Sequence, residues 1–158
     1  MNCIFCDSSK QSKSVEHIIP ESLGNKRYIL EKGQVCDECN NKFSSFEKKA
    51  LTRSIFLIQR IRTGVATKRG KNAQGVLDEV NIQGDSAFRK GVLNVNDEDV
   101  KKIIRVKNDG SREFLFKAFD KSEVSVSKML LKIGFESLFK SKKEIFQKYD
   151  FTHLRNFF

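Results

Sequence analysis

Four cysteines stand in two C-x2-C pairs, Cys3-Ile4-Phe5-Cys6 and Cys36-Asp37-Glu38-Cys39, with 29 residues between them. A C-x2-C turn presents two thiolates to one ion, and two such turns supply the four soft ligands of a tetrahedral zinc. A redox role would call for a βαβ setting, and neither pair has one. The spacing therefore predicts a structural zinc held by all four cysteines, which fixes shape and takes no part in bond breaking. A segment of about 40 residues buries too little core to be stable alone, so the metal is expected to supply much of its folding free energy.

Between the pairs runs Val15-Glu16-His17-Ile18-Ile19-Pro20-Glu21-Ser22-Leu23-Gly24-Asn25. Glu16 and His17 set a carboxylate beside an imidazole. On a regular strand the two point to opposite faces, whereas a strand end or a bulge would bring both to one site. Asn40 and Asn41 follow the last cysteine directly, at the start of a predicted helix.

Together, Cys3-x2-Cys6, Glu16-His17-Ile18-Ile19-Pro20, Leu23-Gly24-Asn25 and Cys36-x2-Cys39-Asn40 resemble the HNH endonuclease superfamily, with its ββα-metal fold. The resemblance covers about residues 1–50. It implies that His17 is the general base acting on water. It implies that Glu16 and Asn40 hold a catalytic divalent metal, and that Asn25 orients the loop behind the base. Glu and Asn stand where Asp and His are commoner in the family. Both keep an oxygen ligand, which suits hard Mg2+ or Mn2+ better than zinc. The implied activity is metal-dependent hydrolysis of DNA phosphodiester bonds, with duplex DNA as the expected substrate. The chemistry is coherent: an imidazole can accept a proton from water near neutral pH, and an ion held by two protein oxygens keeps positions for water and phosphate. The competing reading is a zinc-ribbon nucleic-acid-binding protein whose catalytic site is degenerate.

These groups need elements to position them. Residues 15–19 and 28–30 read as short strands joined through the Gly24-Asn25 turn. From about Asn40, Phe43, Phe46, Ala50, Leu51, Ile55, Ile58 and Ile61 recur at helical spacing, with Gly64 as the stop. Residues 76–82 and 88–95 read as strands. Residues 103–106 and 113–119 flank Asn108-Asp109-Gly110 as a hairpin, with a helical turn as the alternative start at Asp97. After Asp120 the period becomes helical again, Ser141 with Glu144 matches a capping box, and a last helical turn or two covers residues 151–158. The apolar ending at Phe157-Phe158 is expected to pack inside or to run on into further chain. The expected fold class is α+β. Residues 1–63 form a ββα-metal module with its zinc and a connector helix. Residues 64–158 form a basic accessory α+β region with a β-rich middle and C-terminal helices.

The 158 residues hold 30 Lys and Arg against 20 Asp and Glu, a formal charge of +10, which suggests a polyanionic partner and nucleic acid first. Residues 1–50 carry 8 basic and 7 acidic groups, and residues 51–158 carry 22 and 13. From Leu51 to Leu77, Arg53, Arg60, Arg62, Lys68, Arg69 and Lys71 occur with no acid among them, which reads as a phosphate-contacting surface or, more blandly, a solvated face. Lys13, Lys26 and Arg27 lie close in sequence to the proposed site and are expected to share the grip on DNA. No apolar run is long enough to cross a membrane, and no signal-peptide core opens the chain. A cytoplasmic protein with reduced cysteines is expected. Monomer and homodimer both remain open.

Overall fold

The computed structural model describes residues 2–10, 12–67, 69–116 and 124–158, and the chain divides into two compact units. The first is built from residues 1–21, 25–50 and 124–158, and the second from residues 22–24 and 51–123. This differs from the expected division at residues 63 and 64. Two physical reasons account for it.

The first is that the predicted connector helix is two helices. α1 spans Asp37–Leu51 and α2 spans Ser54–Thr63. Phe43, Phe46 and Ala50 are buried in the first unit, while Leu57 and Ile61 belong to the core of the second. One continuous apolar periodicity thus serves two separate cores. Gly64 ends α2 as expected, at a left-handed φ of 65°; a Cβ there would lie 2.3 Å from Phe88 O.

The second reason is aromatic. Phe5, on the first cysteine turn, packs edge-to-face against Phe43 of α1 (centroids 4.5 Å apart) and Phe158 (5.2 Å), and at a tilt against Phe135 (5.0 Å). Phe135 lies on α4, Val124–Ser141, which is followed by α5, Lys143–Lys148, and α6, Thr152–Phe157. Phe146 and Phe151 extend the cluster from Phe135 at 4.8 and 5.5 Å. Each such pair is worth about 0.5–1.5 kcal/mol beyond its buried area. The C-terminal helices are therefore core partners of the cysteine segment. Phe158 is buried, as the apolar ending suggested, and Phe157 is exposed. Ser141 closes α4, and Lys142 stands at the start of α5 with no side-chain cap, so the expected capping box does not form.

In the second unit, β1 (Gln74–Leu77), β2 (Val80–Gly84) and β3 (Leu93–Val95) form an antiparallel sheet in that order. The stretch 76–82, expected as one strand, is a hairpin whose turn residues Asp78 and Glu79 have φ of 45° and 69°. Positive φ at both central positions is the primed turn that suits strand twist, achieved here without Gly or Asn. α3 covers Asp97–Ile103. β4 (Ile104–Val106) pairs with β5 (Arg112–Phe114) around the expected Asn108-Asp109-Gly110 turn. Val80 and Ile82 alternate inward from β2 and meet Leu57, Ile61, Ala73, Leu77 and Ile103.

The two units hold equal charge: fifteen Lys and Arg against ten Asp and Glu in each. The charge asymmetry along the sequence disappears because α4, α5 and α6 return their lysines to the first unit. No helix among the described residues is long and apolar enough to cross a membrane. The fold is α+β, as expected.

Candidate active site

The cysteine turns are placed by local backbone bonds. Cys3 N donates to Ser8 O (2.9 Å), Asp7 N to Cys3 O (2.9 Å), and Ile4 N to Gln34 O (2.9 Å), which ties the first turn to the approach of the second. Asp7 takes φ 53° to close the turn. Cys36 precedes α1 and Cys39 lies in its first turn. The four Sγ atoms lie within 4.8 Å of one another, and Cys6 Sγ is 3.7 Å from Cys36 Sγ. Zinc–sulfur bonds of about 2.3 Å make the sulfur–sulfur edge of a tetrahedral site about 3.8 Å, so this spacing fits the ion. Cys36 N also points at Cys3 Sγ at 3.4 Å. Burial, and then repulsion from Cys3, pushes the Cys39 thiol far up. Partial burial opposes ionisation of Cys6 too, but its bonds to Ser8 prevail and bring it down to about 7. Crowded thiolates of this kind call for a cation between them. The four cysteines could hold a structural zinc, and among the described residues they are the only cluster of three or more His, Cys, Asp or Glu able to hold a metal.

The two predicted short strands reduce to one antiparallel bridge, His17 with Ile29, framed by Ile18 N to Tyr28 O (3.2 Å) and Leu30 N to Glu16 O (2.9 Å). Burial alternates along the first strand: Glu16, Ile18 and Pro20 are buried, while His17 and Ile19 are half-buried. There is no bulge, so His17 and Glu16 face opposite ways.

Asn25 fastens the connecting loop. Its Nδ2 donates to Ile19 O (2.7 Å) and Tyr28 O (2.8 Å), and its Oδ1 accepts from Arg27 N (3.2 Å) and Tyr28 N (2.8 Å). Every hydrogen-bonding atom of the amide is used on backbone. The loop that carries the chain from the His17 strand to the Ile29 strand is therefore closed by one side chain. His17 Nδ1 is buried with no partner among protein groups.

Glu16 lies elsewhere than expected. Only 6% exposed, it accepts from Lys132 Nζ of α4 at 2.5 Å. The same ammonium, fully buried, reaches Glu47 of α1 (2.9 Å), Glu136 of α4 (3.3 Å) and the backbone oxygen of His17 (3.4 Å). Burial opposes the charge on Lys132, but Glu136, Glu16 and Glu47 outweigh it and raise its pKa. Burial raises both Glu16 and Glu136, against the pull of Lys132. Asn40 donates through Nδ2 to Ser14 Oγ (3.1 Å), which in turn donates to Asp37 (2.9 Å), and this bond does not use the amide oxygen that would face a metal. Asp37 also accepts from Lys13 N at 3.1 Å, and that contact foremost holds its carboxyl below the usual range. A divalent ion serving catalysis must reach a phosphate as well as its ligands. A carboxylate that is buried and already neutralised by an ammonium does not fit that requirement, so Glu16 as placed here does not fit the role of metal ligand expected of it.

Of the expected DNA contacts, Lys13, Lys26, Arg27, Arg53, Arg62 and Arg69 are exposed or half-buried at the surface. Arg60 is buried, donates to Leu51 O at 3.3 Å, and is weakened as a cation by burial, so it belongs to the packing of α2 and not to a phosphate surface. Lys68 lies outside the described residues. Lys132, Glu47 and Glu136 were not singled out in the sequence. The signal was present: Lys132 and Glu136 fall on the face of α4 that also carries Met129, Phe135 and Phe139.

Residues 3–56 match the HNH endonuclease family. No curated protein and no solved structure matches the chain.

Proposed function

On the premise that residues 3–56 form an HNH endonuclease module, we propose that the protein hydrolyses phosphodiester bonds in DNA, with His17 as the general base. The observation that carries this reading is the placing of His17. It sits on a strand with one face packed in the core, its imidazole turned to the other face, and its loop tied by Asn25. A general base needs a fixed backbone beneath it and a ring that is not locked into the core.

In this reading His17 takes a proton from the attacking water while Asn25 keeps the strand and loop in register. Lys26 and Arg27, exposed on the loop that Asn25 closes, contact the phosphate backbone, as do Lys13 and the exposed arginines of the second unit. The contacts go to phosphate and carry no sequence information by themselves. The zinc held by the four cysteines shapes the module and is closed to substrate. Duplex DNA is the substrate class proposed.

A second reading has a specific observation in its favour. The pairing of Glu16 with Lys132 removes the carboxylate that a family member would offer to a catalytic ion, as expected of a DNA-binding protein that no longer cuts. Incubation with supercoiled plasmid separates the two. Conversion to nicked or linear DNA with Mg2+ or Mn2+, abolished by EDTA under conditions that leave the zinc bound, supports the nuclease. Retarded but uncut plasmid under every metal condition supports the binder.

A further inference from the structure

The ammonium of Lys132 lies 115 residues along the chain from the backbone oxygen it reaches on His17, and well beyond the family match at residues 3–56. A lysine with no exposed surface is uncommon, because burial costs both its hydration and its rotamer freedom. Here it is met by three carboxylates from three places: Glu16 on the His17 strand, Glu47 on α1, and Glu136 one turn along α4. Two turns further on, Lys140 donates to Ile29 O at 2.7 Å, and Ile29 is the residue that bridges His17. One helix thus holds both strands, Glu16–His17 through Lys132 and Ile29 through Lys140.

We infer that Lys132 is a positioning residue for the base: Glu16 serves as the buried anchor by which α4 fixes the His17 strand. This rests on the reading of His17 as the general base. It assigns α4 to the active module, although the family match ends at residue 56. It also gives Glu16 a task on the face opposite to His17, which its burial requires.

Hydrogen exchange in the zinc-loaded full chain, without DNA, reads this directly. The amides of Ile18 and Leu30 bond across the strand pair, and the amide of Asn40, in the first turn of α1, bonds to Cys36 O just before that helix. Lys132→Met is expected to lower protection at Ile18 and Leu30 by about tenfold or more, with Asn40 unchanged and zinc retained. Should that variant fail to fold, Glu16→Leu and Glu16→Gln carry the test, because both keep the ammonium with Glu47 and Glu136. The leucine is expected to lose protection at the two strand amides and to shift the Cε1–H resonance of His17, with His153 as an unmoved reference. The glutamine still offers an oxygen to Lys132 and is expected to restore both signals. Unchanged protection and an unmoved His17 resonance in Glu16→Leu would overturn the inference. So would an equal loss of protection across the whole first unit, which is what a general packing role would produce. None of these readouts requires cleavage, so the inference can fail while the nuclease reading holds, and the reverse.

Discussion

Asn25 is bonded to Tyr28 in both directions: its Nδ2 donates to Tyr28 O at 2.8 Å, and its Oδ1 accepts from Tyr28 N at 2.8 Å. The side chain copies a strand neighbour, and through Ile19 O it ties that mimic back to the His17 strand. Asn25→Asp keeps the acceptor and loses both donations, taking the amide donor from Ile19 O, leaving Tyr28 O with Ile18 N alone, and adding a charge. Loss of stability of about 1–3 kcal/mol is expected, measured by thermal or urea unfolding. Cleavage is expected to fall in kcal terms no less than stability does, with DNA affinity little changed. Wild-type melting in this variant would show that the loop holds its shape without the amide.

The zinc prediction follows from the size of the cysteine segment. Changing any one of Cys3, Cys6, Cys36 or Cys39 to Ser removes one of four ligands, and structural zinc contributes on the order of 10 kcal/mol to domains of this kind. Zinc content and melting temperature should fall together in all four variants. Stoichiometric zinc and normal melting would rule out the four-cysteine site.

Glu136 gives a pH prediction. Burial first, and then repulsion from Glu16 and Glu47, raises its pKa well above the ordinary carboxylate value despite the attraction of Lys132. A carboxyl whose folded pKa is raised stabilises fully below its unfolded value of about 4.3 and loses that contribution as pH rises through the folded value. At neutral pH the wild type therefore carries a penalty that Glu136→Gln relieves. The variant should melt a few degrees higher than wild type at neutral pH, and the difference should vanish toward the unfolded carboxyl range. A lower melting temperature at neutral pH would mean that Lys132 depends on an ionised Glu136.

Arginines in one short run should behave differently according to burial. Arg62 and Arg69 are exposed, and replacing both with Gln should lower the slope of log affinity against log salt by about 2 if each contacts a phosphate. Arg60→Gln should leave that slope alone and destabilise instead, through the lost bond to Leu51 O. Fluorescence anisotropy with a duplex at several salt concentrations distinguishes them. A slope change for Arg60→Gln equal to that of the exposed pair would contradict the burial argument.

The features legible in the sequence were those whose cause is local. Two C-x2-C turns imply one tetrahedral site wherever the chain goes next. Gly64 stops a helix because of its own φ, and Asn108-Asp109-Gly110 turns a hairpin by its own chemistry. What escaped depends on distant partners. The face of Glu16 was open between two choices until Lys132 arrived from α4. The break after α1 leaves no Gly or Pro to mark it; only the change of core from Phe43 and Phe46 to Leu57 and Ile61 does. The Asp78-Glu79 turn hides for another reason, since neither residue is the usual choice at positive φ. Arg60 looked like its neighbours in a basic run, and burial alone separates it from them.

The central claim is that His17 is the general base, and His17→Ala tests it most directly. His17 is no ligand of the cysteine cluster, so zinc content, melting and DNA affinity should stay close to wild type. Plasmid cleavage should fall by roughly 10²–10⁴, the usual size of a lost general base. His153→Ala, an exposed histidine on α6, should cut like wild type. Wild-type cleavage by His17→Ala, with loss of cleavage in His153→Ala, would contradict the account.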